Sequence, residues 1–138
     1  MNKYTFIKAK AFIMRNARPI ELARWSFHFE NGSVDDVILA LEAYQNPDGG
    51  FGHGLEPDSW NPYSSPIQTW NAMEILEEIE VTDPQQPMIQ GILKYLDNKS
   101  DFEDDFWFNT IPTNNDYPHA PWWHYDPKPT DYQDYNPT

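Results

Sequence analysis

The chain predicts an all-α protein: antiparallel helix pairs, about five helices in all, followed by an extended segment rich in proline and aromatic residues. Three observations carry this reading. Apolar residues recur at helical spacing through the first hundred positions. Serine, proline and glycine stand where helices start and stop. Strand-like alternation is weak throughout. The 138 residues fit one domain, helical over 1–99 and mostly irregular over 100–138.

The first helix is predicted over Tyr4–Asn16, where Phe6, Ile7, Ala11 and Met14 recur at helical spacing and lysines take the other face. Pro19 suits the first turn of a second helix, running to about Glu30 and heavily buried through Trp25, Phe27 and Phe29. Asn31-Gly32 is a stop. Ser33 caps a third helix, with Asp36 in the capping-box position and an apolar stripe of Val37, Ile38, Leu41 and Tyr44. A glycine-rich corner and a long loop follow. Ser65, Pro66 and Gln68 then open a fourth helix as N-cap, first residue and capping-box partner. Asp83-Pro84 starts a fifth, ending near Asn98. Phe102, Phe106, Trp107 and Phe108 read as apolar anchors in an acidic loop.

Composition narrows the function. Net charge is −13, with +5 in residues 1–24 and −18 in the remainder. An acidic body does not suit a phosphate backbone or an anionic membrane surface. No apolar run approaches a membrane span, and lysines at 3, 8 and 10 break up any signal-like segment, so a cytoplasmic location is expected. Without cysteine there are no disulfides and no thiolate metal ligands. Thirteen prolines, mostly after Gly54, set the second half apart, while 16% aromatic content supplies material for a core.

The corner Gln45-Asn46-Pro47-Asp48-Gly49-Gly50-Phe51-Gly52 resembles the glycine-rich repeat element of terpenoid cyclases and protein prenyltransferase β subunits. The wider chain resembles uncharacterised bacterial proteins with prenyltransferase/squalene-oxidase-type repeats. The stretches that carry this likeness are Ala17-Arg18-Pro19, Ala43 to His53, Leu55-Glu56-Pro57-Asp58, and Pro118-His119-Ala120-Pro121-Trp122-Trp123. The resemblance implies part of an α/α toroid, two rings of helices around a central cavity. It implies an isoprenoid or carbohydrate ligand there. Two departures stand out. Glu103-Asp104-Asp105 misses the Asp-x-Asp-Asp acid of the cyclases, because residue 102 is Phe, and the zinc-binding Cys of the prenyltransferases has no counterpart. A closed ring needs more than about five helices, and Asn136-Pro137 resembles a further helix start. The sequence therefore reads as an incomplete, N-terminal part of a toroid, or as a half-ring completed by self-association.

Candidate site residues follow from the loop logic. Gln45, Asp48, Gly49, Gly50, Phe51 and Gly52 are expected to be structural, turning and capping the chain. His53, Glu56 and Asp58 lie just beyond, where a rigid scaffold presents functional groups, and are the candidate catalytic residues. A histidine with two carboxylates could transfer protons, hydrolyse a glycoside or hold a divalent metal, though no cofactor is dictated. Trp60, His119, Trp122 and Trp123 are candidate ligand-stacking residues, with tail-anchoring tryptophans as the alternative. Asp101, Asp104 and Asp105 fit a solvated acidic loop better than a magnesium site. Two functions stand side by side. An enzyme would show a deep aromatic pocket, lined by residues such as Trp60, Trp70 and Trp122, with a carboxyl of raised pKa. A binding module would show an exposed aromatic patch without a convergent acid–base set.

Overall fold

The computed structural model describes residues 2–127; the helix start suggested at Asn136-Pro137 lies outside the described residues. Five α-helices occur among them: α1 Lys3–Asn16, α2 Pro19–Phe29, α3 Val34–Glu42, α4 Pro66–Glu78 and α5 Pro87–Asn98. Two short strands, β1 Phe102–Glu103 and β2 Phe106–Trp107, and two 3-10 turns, Pro112–Asp116 and Pro121–Trp123, complete the described chain.

The caps explain most boundaries. Asn2 accepts from the Thr5 amide at 2.9 Å to start α1. Ser33 and Asp36 form the expected reciprocal box at α3. Ser65 accepts from the Gln68 amide, and Pro66 takes the first helical position of α4. Gln68 itself departs from expectation. Its side chain is fully buried and donates to the Asn61 carbonyl at 3.1 Å, bracing the preceding loop instead of closing a capping box.

Three further expectations are corrected. Helix α5 begins at Pro87, because the Gln86 side chain accepts from the Met88 and Ile89 amides, while Asp83-Pro84 makes a separate turn through Asp83 Oδ1 and the Gln85 amide. Helix α2 buries only Ile20 completely; Phe29 is 52% exposed, its ring edge-on to Phe6 and tilted against Trp25 on the flank facing α1. The supposed acidic loop contains an antiparallel hairpin pairing Phe102 with Trp107 and Glu103 with Phe106. Its turn residues Asp104 and Asp105 both have positive φ, +50° and +67°, as a two-residue hairpin turn demands.

The core is formed by Ile20 of α2, Val37 and Leu41 of α3, Phe51 and Leu55 of the connecting loop, Ala72, Ile75, Leu76 and Ile79 around α4, and Met88 and Ile92 of α5. Burying one such aliphatic or aromatic side chain stabilises by about 1.5–3 kcal/mol. Helix α1 contributes no fully buried residue and lies at the margin. No helix among the described residues is long and apolar enough to cross a membrane.

Candidate functional site

The corner is where the site begins. Helix α3 ends at Glu42, and the chain turns back so that Gln45 pairs with Phe51 as an isolated antiparallel bridge. Every polar side chain in the turn is committed to holding it. Gln45 Nε2 donates to the carbonyls of Gly49 and Met88, at 3.0 and 3.2 Å. Asp48 Oδ1 accepts from the Gly50 amide at 3.0 Å and from Ser64 Oγ at 2.7 Å. The Phe51 amide, fully buried, donates to Thr69 Oγ1 on α4. Gly49 has φ +95°, and a Cβ there would stand 2.0 Å from the Gly91 carbonyl oxygen. Gln45, Asp48, Gly49, Gly50, Phe51 and Gly52 thus fasten α3 to α4 and α5.

The corner launches the loop 53–60. His53 takes a left-handed conformation at φ +59° and, among the described residues, its side chain bonds Asn46 Oδ1 at 3.0 Å. Arg18, at the start of α2, reaches the next carbonyls. Its guanidinium donates to Gly54 and Leu55, pairs with Glu21, and lies 5.7 Å from the Tyr44 ring centroid. Burial opposes ionisation of Glu21, but the Arg18 guanidinium overcomes it and lowers the Glu21 pKa.

Beyond Leu55 the carboxyl groups turn elsewhere. Glu56 accepts from Asn71 Nδ2 at 2.8 Å. Burial pushes the Glu56 carboxyl above its ordinary range; Asn71 pulls it down, and Asp58 pushes it up further. Asp58 Oδ1 accepts from Trp123 Nε1 at 2.6 Å, and the Asp58 carbonyl accepts from the Ala120 amide at 2.8 Å. The Trp60 amide donates to the Pro118 carbonyl, and Ser59 bridges to His119. Residues 117–125 therefore form a strap stitched along the loop. Buried Asn114 extends the stitching, accepting from Asn61 and donating to the Trp123 carbonyl.

The sequence candidates consequently separate. His53 and Trp60 line an open groove of about 500 Å³ together with Arg18, Tyr44, Tyr117 and two prolines, Pro57 and Pro62. Glu56 and Asp58 are not on its wall. Trp60 is 63% exposed, and its indole N–H is held by the Pro57 carbonyl at 2.9 Å. Trp123 is an anchor, whereas Trp122 is 67% exposed and outside the groove. His119 Nδ1 donates to the Tyr117 carbonyl at 2.6 Å, so that nitrogen carries the proton, and Nε2 faces His124 Nδ1 at 3.2 Å. Among the described residues no group of three or more His, Asp or Glu side chains could hold a metal ion. The acidic triplet is not gathered: Asp101 accepts from the Tyr95 hydroxyl at 2.9 Å, while Asp104 and Asp105 shape the hairpin turn.

Sequence reasoning missed Arg18, Tyr44 and Tyr117 as groove residues. Arg18 had a visible position before Pro19, but its partners lie 36 and 37 residues away. Comparison with known protein families, with curated proteins and with solved structures finds no match to this chain.

Proposed function

We propose that this chain is a helical-repeat binding module of the α/α-toroid type whose groove between the 53–60 loop and the strap takes a neutral carbohydrate. The observation that carries the reading is Trp60, a large exposed ring whose orientation is fixed by its own N–H bond to Pro57. A pre-set aromatic face stacks against the C–H face of a sugar without losing side-chain freedom on binding. Tyr44, Tyr117 and His53 add aromatic edges and hydrogen-bonding groups around it. The groove is open to solvent, with Arg18 and His53 beside its aromatic and proline wall, which suits a stacked sugar better than an isoprenoid chain, whose binding needs water excluded. The chain's −13 charge also disfavours anionic ligands such as diphosphates.

The carboxyl pair argues for binding over hydrolysis. Glycoside hydrolysis needs carboxyl groups about 5 Å or more apart, on either side of the bond. Glu56 and Asp58 are instead engaged by Asn71 and Trp123, and neither lines the groove.

Calorimetric titration with hexasaccharides of glucose and of N-acetylglucosamine, and in parallel with farnesol, tests the proposal. At least one sugar should bind, and Trp60→Ala should weaken it about tenfold or more with the far-UV spectrum unchanged. Farnesol binding in the absence of sugar binding, or sugar affinity unaltered by Trp60→Ala, would refute it.

A further inference from the structure

Helices α1 and α4 each turn an unusual face to solvent. On α1, Tyr4, Ile7, Ala11 and Met14 follow the i, i+3, i+7, i+10 spacing of one helical face. Tyr4, Ile7 and Met14 are all exposed. Lys3 and Lys10 flank this stripe on one side, and Lys8 and Arg15 on the other, each pair seven residues apart. Lys10 is paired with Glu30, and Lys8 sits over the Tyr4 ring; among the described residues Lys3, Lys8 and Arg15 form no ion pair. The face is apolar along its centre and basic at its edges.

Helix α4 presents the complement. Trp70, Met73, Glu74 and Glu77 are spaced i, i+3, i+4, i+7 and all are exposed. Trp70 is 53% exposed, and beside it an apolar groove of about 410 Å³ runs between α4, Leu96 and Trp107. Glu74 and Glu77 form no ion pair among the described residues. This face interleaves two exposed apolar side chains, Trp70 and Met73, with two glutamates, Glu77 in line with Trp70 and Glu74 to one side.

We infer that these two faces bind each other between copies: α1 of one molecule docks on the α4 face of a second copy of the same chain. Charge complementarity selects this occupant. The +5 of residues 1–24 and the −18 of the remainder put both halves of the contact on every molecule. An anionic membrane would meet the basic edge of α1 but would be repelled by the acidic body. The apolar side chains supply contact area, and the lysines and glutamates set register. The inference is independent of the carbohydrate groove, which uses neither face.

A charge swap tests it. Sedimentation velocity of the full chain at low salt should show mass rising with concentration, and high salt should reduce it. Lys3→Glu/Lys8→Glu should weaken association about a hundredfold, and so should Glu74→Lys/Glu77→Lys. These four residues are exposed and outside the core, and circular dichroism checks that both variants are folded. Mixed one to one, the two variants should associate again, because the unaltered α1 of one meets the unaltered α4 of the other and the two reversed faces match as well. A wild-type chain that stays monomeric, reversed variants that associate like wild type, or a mixture that fails to recover would each overturn the inference. So would a monomer that cosediments with phosphatidylserine vesicles.

Discussion

Replacing Gly49 by alanine separates the corner's architecture from any chemistry it might have. Alanine at φ +95° costs about 1–2 kcal/mol in backbone conformation. Its Cβ would also stand 2.0 Å from the Gly91 carbonyl oxygen, which belongs to helix backbone and cannot swing aside. The corner would have to withdraw from α5, stretching the Gln45 bonds to Gly49 and Met88, each worth about 1 kcal/mol. The total is about 3–4 kcal/mol, a large share of a small domain's stability. Gly54→Ala is the control: its φ is +73°, but the nearest atoms to a new Cβ are 3.7 Å away. It should therefore cost only the conformational part, about 1–2 kcal/mol. Urea unfolding followed by circular dichroism, with equal m-values, measures both. If Gly49→Ala proved no worse than Gly54→Ala, the close approach to α5 would not be what fixes the corner.

Two more perturbations probe the loop and the strap. Folding lowers the pKa of Glu21 and of Glu78, the latter through its bond to Arg24, so their contribution is fully present above the ordinary glutamate range of about 4.3 and is lost as pH falls through their folded values. Glu56 has the opposite sense. Burial raises its pKa, so its penalty is absent below the ordinary range and grows as pH rises through the raised value. Glu56→Gln, which still accepts from Asn71, should therefore gain stability relative to wild type at pH 7 and not at pH 4; equal gains at both would contradict the assignment. Trp123→Phe removes the donor to Asp58, at a cost of about 1–2 kcal/mol, and should speed hydrogen exchange of the Ala120 amide; unchanged exchange would mean that the strap is held otherwise.

How much of this was legible in the sequence depends on the reach of each interaction. Caps act over three residues, so Ser33–Asp36 and Ser65–Pro66 could be read directly, as could the turning role of Asp48 and the glycines. Helix α5 was misplaced because two prolines competed, and Gln86, not Asp83, supplied the capping oxygen. The hairpin hid behind Asp104-Asp105, since two aspartates at positive φ look like a solvated acidic run. The strap and groove were beyond local pattern. Asn61 meets Asn114 at a separation of 53 residues, and Asp58 meets Trp123 at 65. Sequence proximity grouped His53 with Glu56 and Asp58; burial and hydrogen bonding turn the carboxyl groups away from the groove that His53 lines.

The central claim is that a fixed, exposed Trp60 receives a sugar. Indole N–H resonances of the six tryptophans, followed by NMR during titration with the glucose and N-acetylglucosamine hexasaccharides, test it most directly. The account predicts a saturable shift of the Trp60 signal with Trp25 and Trp123 unmoved. Saturable shifts at Trp70 and Trp107 with Trp60 still, or no shift at any indole, would contradict it.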